Sequence, residues 1–194
     1  MPCALPPHVV LASTSERRHR LLKGMGVAFE AVDPGIDEDA IDANGPEATA
    51  RARALAKARA VAWARPGAVV VAADTVVAID GDILPKARDA ADVARMMRAL
   101  SGRAHTVVTA VAVARPDGES PAVEADAARV TFRPLSDGDV TSYAASGEGV
   151  GKAGGYAVQG RAGAFVAALE GDVETVVGLP TRLLRQMLDA CPRG

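Results

Sequence analysis

Aromatic residues are scarce in this chain. Phe, Tyr and Trp make up 3% of its 194 residues, so a core must be filled mainly by Val, Ala and Leu. Cysteine is nearly absent: Cys3 and Cys191 lie near the two ends with no CxxC or Cys/His spacing. That excludes a disulfide framework and a structural zinc site. Charge of one sign is also lacking, since 22 basic and 24 acidic residues leave a formal net charge of −2. No general field for holding DNA or RNA exists, and a nucleic-acid partner is not expected. No apolar run is long enough to span a bilayer, and MPCALPPHVV has no basic region followed by a long apolar stretch. A cytoplasmic protein without a membrane partner is the expectation. With 49% hydrophobic and 24% charged residues, positions 1–194 read as one domain.

Strand-like and helix-like segments interleave along the chain. HVVLAS fits a buried strand and leads into a helix capped by Ser15, with Leu21, Leu22 and Met25 inward. FEAVDPG is a second strand, and the acidic connection GIDEDAIDANG precedes a long helix opened by Pro46. AVVVAADTVVAIDGDILPK holds two β-like runs flanking Ala73-Asp74-Thr75, with a turn at Gly81-Asp82. A helix follows over DAADVARMMRALSG, then two strands joined near Asp117-Gly118, then a helix in SDGDVTSYAASG. GAFVAALEGD is a last strand, and Pro180 begins a last helix. Several strands follow one another directly, which predicts a mixed sheet in an α/β (mixed α+β) fold rather than a regular doubly wound one.

SGEGVGKAGGYAVQG (146–160) resembles a phosphate-binding loop at first sight. A Walker loop needs Gly, four residues, then Gly-Lys-Ser/Thr; here Gly151-Lys152 is followed by Ala153. A dinucleotide fingerprint needs a strand before it and a helix after it, and this stretch has neither. Either it is a surface loop or Lys152, Tyr156 and Gln159 recognise a ligand while the glycines let the backbone come close.

Three other places carry chemistry. Around SERRHR (15–20), Ser13 ends the preceding strand while Arg17 and Arg18 fall in the first turn of a helix. Cations there oppose the helix dipole unless an anion joins them, so this is an anion site or a solvated basic turn. Asp74 and Thr75 sit between apolar runs, where an unpaired carboxylate is costly. An aspartate at a strand end suits a metal ligand or a base; the alternative is a bulge or tight turn. Lys57 lies on a stripe with Ala50, Ala54 and Val61 and either reaches the surface or serves a site. Lys86 follows ILP near the Asp74 segment. Carboxylates, fixed cations and a glycine-rich loop are equipment for a polyphosphate with a divalent metal. There is no GxSxG and no HExxH. His105 opens a strand and is assigned to structure.

The blocks LASTSERR, GIDE, LAKARA, AADTVV, ILPKARD, LSGRAHTVVTAV, GKAGGYAVQG and VVGLP stand here in order, from about Val9 to Leu188. Together they resemble the Maf nucleoside triphosphate pyrophosphatases. The resemblance implies an elongated mixed α/β fold, two lobes with a deep cleft, of the inosine triphosphate pyrophosphatase type. It implies hydrolysis of nucleoside triphosphates to monophosphate and pyrophosphate with a divalent cation, Mg or Mn, and a homodimer. KAGGYAVQG is similar to the dTTP/UTP branch; the other branch takes 7-methyl-GTP. By motif, Asp74 matches the catalytic proton acceptor, and Arg17, Thr75 and Gln159 match selectivity positions. Ser13, Glu38, Lys57 and Lys86 match further cleft residues, with Asp74 and Glu38 as metal ligands and Lys152 in the recognition loop. Arg17, Lys57 and Lys86 are assigned to the phosphate chain, and Gln159 to the O4 and N3–H edge of the base. The chain departs from the pattern at Glu16, where the family usually has proline, and at Pro85 and Ala87, where it reads Gly-Lys-Pro. A nucleotide-binding regulator of septum formation, without turnover, is the rival reading.

Overall fold

The computed structural model describes residues 8–116 and 120–189. One sheet of seven strands, ordered β2-β1-β3-β5-β6-β7 with β4 added to β3, organises the chain. Strand β1 (His8–Ala12) pairs in parallel with β2 (Ala28–Val32) and with β3 (Val70–Ile79). β4 (Asp82–Leu84), β5 (Ala104–Ala114), β6 (Ala122–Phe132) and β7 (Val166–Glu170) all join antiparallel. The mixed sheet agrees with the expectation drawn from consecutive strands.

Helices cover both faces. α1 (Glu16–Gly24) and α6 (Thr181–Asp189) bury Leu22, Leu184 and Leu188 with Val9, Leu11 and Val71 on one face. α2 (Pro46–Ala64) lays Ala50, Ala54, Ala58 and Val61 on Val10, Val70, Ala72 and Val76. Alanine on the helix and valine on the strands bring the two close, which explains how so few aromatics suffice. The third cluster joins α3 (Ala90–Leu100) and α4 (Asp137–Ala145) through Met96, Met97, Leu100, Val140 and Tyr143, with Phe132, Tyr156 and Phe165. α5 (Val173–Val177) is a helix of 5 residues that the sequence reading passed over, too short to show a period.

Two expectations around β3 need correction. The segment 70–79 is one uninterrupted strand, not two runs, and Asp74 lies in its middle; its register with β5 is continuous from Val70↔Ala114 to Ala78↔Thr106. The turn is Asp80-Gly81 rather than Gly81-Asp82: both residues have positive φ, 54° and 92°, as a tight two-residue hairpin requires. The expected turn at Asp117-Gly118 lies outside the described residues, as do Cys3 and Cys191.

One feature of the sheet positions the site. β1 pairs with β3 at Val70 and Val71, and β4 takes over the same role from Val77 onward. Between them Ala72 to Val76 have no strand partner on that side among the described residues, and there the chain leaves β1 for α1. The sheet is notched at Asp74.

Candidate active site

A cleft of about 630 Å³ occupies the notch, and every residue assigned to the site from sequence lines it. Ser13, Arg17, Glu38, Lys57, Asp74, Thr75, Lys86, Lys152 and Gln159 come from six separate stretches of chain and meet there.

Its acidic wall is built around Lys57. This residue is 2% exposed, so it does not reach the surface. Its Nζ lies 2.7 Å from Asp74 Oδ1 and 2.7 Å from Glu38 Oε1, and it donates to Ala73 O at 3.2 Å. Three N–H donors meet three oxygens, so the ammonium is saturated. Lys86 approaches from outside and donates to Glu38 Oε2 at 2.5 Å. Burial would raise the Glu38 carboxyl, but Lys57 and then Lys86 outweigh it and hold it down at about 2. Asp74 is 3% exposed, and its Oδ2 is buried without a hydrogen-bond partner.

Arg17 and Arg18 are neighbours in the first turn of α1 with different tasks. Arg18 is held on three sides: Nε donates to Gly178 O (2.8 Å), Nη1 to Ser13 Oγ (3.3 Å) and Nη2 to Thr75 Oγ1 (3.1 Å). Arg17 makes no hydrogen bond or ion pair among the described residues. Burial first, then Arg18, hold its guanidinium below the usual arginine value. Lys152 is lowered in the same way by burial and by Arg17, and its Nζ rests on Glu148 O at 2.5 Å. Two cations, of which Arg17 depresses Lys152, therefore share one wall of the cleft with the Glu148 carboxylate beside Lys152, and a wall with this excess of positive charge suits an anion. Ser15 does not cap α1 with its side chain; Ser13 Oγ accepts the Ser15 N–H at 3.2 Å instead.

The glycine-rich stretch is a built wall rather than a free loop. It is stitched to the Pro85–Ala87 segment by Ala87 N–H to Lys152 O (3.2 Å), Gly151 N–H to Ala87 O (2.7 Å) and Gly154 N–H to Pro85 O (3.2 Å). Lys86 and Ala153 form an isolated bridge between the same two segments. Thus Pro85 and Ala87, two departures from the family pattern, still carry Lys86 into the cleft. Glu16, the other departure, projects into solvent beside His19. Gln159 is exposed in the cleft, and its side chain makes no hydrogen bond among the described residues. Tyr156 corrects the sequence reading: its hydroxyl is turned into the core, 2.8 Å from His105 Nε2, and it is 4% exposed. His105 is structural as assigned, packed edge-on against Phe132 and Tyr156 and pushed down to about 4 by burial.

Sequence reasoning placed Arg18 with Arg17 in a candidate anion site but did not foresee its anchoring to Gly178, Ser13 and Thr75, and it missed the threonine network behind Thr75. Among the described residues no three His, Cys, Asp or Glu side chains gather as a closed metal cage. Two carboxylates, one with a free oxygen, fit a cation that takes its remaining ligands from water and phosphate. No helix among the described residues is long and apolar enough to cross a membrane.

The profile of the Maf-like protein family matches residues 8–191. A dTTP/UTP pyrophosphatase of Symbiobacterium thermophilum is 44% identical over 180 residues, covering 93% of this chain and 92% of that one. A dTTP/UTP pyrophosphatase of Caulobacter vibrioides is 49% identical over 178 residues, covering 91% and 92%. Among solved structures, the Staphylococcus aureus Ham1 protein overlaps with a TM-score of 0.47 at 19% identity, over 64% of this chain and 71% of that one.

Proposed function

The chain belongs to the Maf family, and we propose that it hydrolyses dTTP and UTP to the nucleoside monophosphate and pyrophosphate, consuming one water. One observation carries the reading: Asp74, whose buried Oδ2 has no hydrogen-bond partner, lines the same cleft as Arg17, whose guanidinium has no partner among the described residues. An acceptor for a water proton and a holder of phosphate charge are what anhydride cleavage needs from a protein.

The roles divide by geometry. Asp74, with Oδ1 fixed by Lys57, aims Oδ2 at the attacking water, which it orients or deprotonates. Arg17, Lys152 and the half-exposed Lys86 bind the triphosphate. Lys57 serves the reaction indirectly, since its three donors are already committed to Asp74, Glu38 and Ala73. Asp74 and Glu38 would hold a divalent cation, Mg or Mn, which supplies charge neutralisation to the phosphate oxygens. Gln159 carries both a donor and an acceptor for the O4 and N3–H edge of the pyrimidine.

The test is pyrophosphate release from UTP and dTTP with Mg or Mn. Equal amounts of monophosphate and pyrophosphate are expected, and Asp74→Asn should abolish both. Release of orthophosphate and a diphosphate would refute the bond assignment. Tight binding without turnover would restore the regulator, and faster turnover of 7-methyl-GTP would move the chain to the other branch.

A further inference from the structure

Successive residues of β3 point to opposite faces, so Thr75 and Val77 lie on the side of the cleft away from the Asp74 carboxylate. The walls there are mostly apolar: Val77, Val107 and Val176 line it, and the glycine-rich stretch packs so closely that a Cβ on Gly154 would lie 2.8 Å from Val77. Apolar walls with few polar atoms suit a nucleobase. Thr75 Oγ1 is one of those few.

The hydrogen on that oxygen is not free to choose its direction. Thr109 Oγ1 lies 2.6 Å from Thr175 O, a carbonyl that can only accept, so the single Thr109 hydrogen goes there. Thr75 Oγ1 lies 2.9 Å from Thr109 Oγ1, so in that pair Thr75 must donate. Arg18 Nη2, which can only donate, fills one Thr75 lone pair at 3.1 Å. The chain runs one way, Arg18 to Thr75 to Thr109 to the Thr175 carbonyl. What Thr75 has left for a ligand is one lone pair.

From this one-way chain we infer that Thr75 is an acceptor-only reader of the N3–H of uracil or thymine, with Thr109 the buried positioning residue that makes it so. The inference deepens the proposed reaction and rests on that reading for its substrate class. With the N3–H taken by Thr75, Gln159 is left with O4, and Gln159 alone does not separate uracil from cytosine, because its amide can turn over and present donor or acceptor. A threonine whose proton is tied down cannot turn. Uracil N3–H meets a lone pair; cytosine N3, itself an acceptor, meets another acceptor and is refused.

The experiment compares wild type, Thr109→Val and Thr109→Ser. Affinities for α,β-imido analogues of UTP and CTP are measured by calorimetry, alongside pyrophosphate release from UTP and CTP. Wild type should prefer the uridine analogue. In Thr109→Val the Thr75 hydroxyl can swing to donate to cytosine N3, and the uridine-to-cytidine preference should fall at least about tenfold. Thr109→Ser keeps the relay and should keep the preference. An equal loss for both analogues, as a merely structural role would give, overturns the inference, as does an unchanged ratio or a wild type without preference. If Thr109→Val does not fold, Thr75→Val decides: weakening confined to the uridine analogue supports the inference and equal weakening overturns it. A wild type that binds with this pattern but releases no pyrophosphate would defeat the reaction while leaving the inference standing.

Discussion

Asp74 and Thr75 are adjacent on β3, project to opposite faces of the sheet, and yet line one cleft. This arrangement depends on the notch between β1 and β4, because a covered strand edge would leave the two faces separated. It divides the labour of a nucleotide site by strand parity. The carboxylate stands with Lys57 and Glu38 on one side, and the hydroxyl with Arg18 and Thr109 on the other.

Lys57→Met should be more damaging to stability than Asp74→Asn. Removing the ammonium leaves the buried Asp74 carboxylate unpaired beside the partly buried Glu38, at a cost of about 3–5 kcal/mol. Removing the Asp74 charge leaves Lys57 still paired to Glu38. Urea denaturation of the two single variants and the double variant closes a thermodynamic cycle, and a coupling well above about 0.5 kcal/mol is expected. Additive effects would mean that the ion pair contributes little.

Much of this wall was legible beforehand. A carboxylate inside VVAADTVVAI and a lysine on an alanine stripe each violate the local pattern, and the two violations proved to be one contact. What was not legible depends on direction in space. Arg17 and Arg18 are indistinguishable as letters and both line the cleft, but a rotation of about 100° along the helix ties Arg18 to Gly178, Ser13 and Thr75 and leaves Arg17 without such an anchor. The Asp80-Gly81 turn was displaced by one residue because aspartates flank Gly81 on both sides. Thr109 and Thr175 gave no sign, since threonine is ordinary in strands and their relay joins positions far apart in the chain.

Stability should fall with acid through His105. Its folded pKa of about 4 lies below the model-peptide 6.5, because burial disfavours the charged ring. Above pH 6.5 the ring is neutral in both states and contributes nothing to the pH dependence. Between 6.5 and 4 the unfolded chain takes up a proton that the folded chain refuses, so stability is lost as pH falls, by at most about 3 kcal/mol. Urea midpoints measured across that window should slope in wild type and flatten in His105→Phe. An equally steep slope in the variant would assign the acid sensitivity elsewhere.

Gly178→Ala should impair turnover from outside the reacting groups. Gly178 has φ of +118°, and a Cβ there would lie 3.1 Å from Thr75 Oγ1 and 3.6 Å from Arg18 Nε. Backbone strain should cost about 1–3 kcal/mol. The crowding should shift Arg18 and Thr75 and lower kcat/KM roughly tenfold or more. A variant with reduced stability but unaltered kinetics would show that the contact is not transmitted to the cleft.

Arg17 and Arg18 should respond in opposite ways to alanine. Arg18 anchors Gly178, Ser13 and Thr75, so Arg18→Ala should lose about 2–3 kcal/mol of stability along with activity. Arg17 touches no partner among the described residues and is opposed by Arg18, so its removal relieves a like-charge contact. Arg17→Ala should therefore melt no lower than wild type while kcat/KM falls about 100-fold. A cation kept at a local electrostatic cost has its favourable interactions with the ligand rather than with the fold. Loss of stability in Arg17→Ala with activity intact would reverse that assignment and make Arg17 a structural residue.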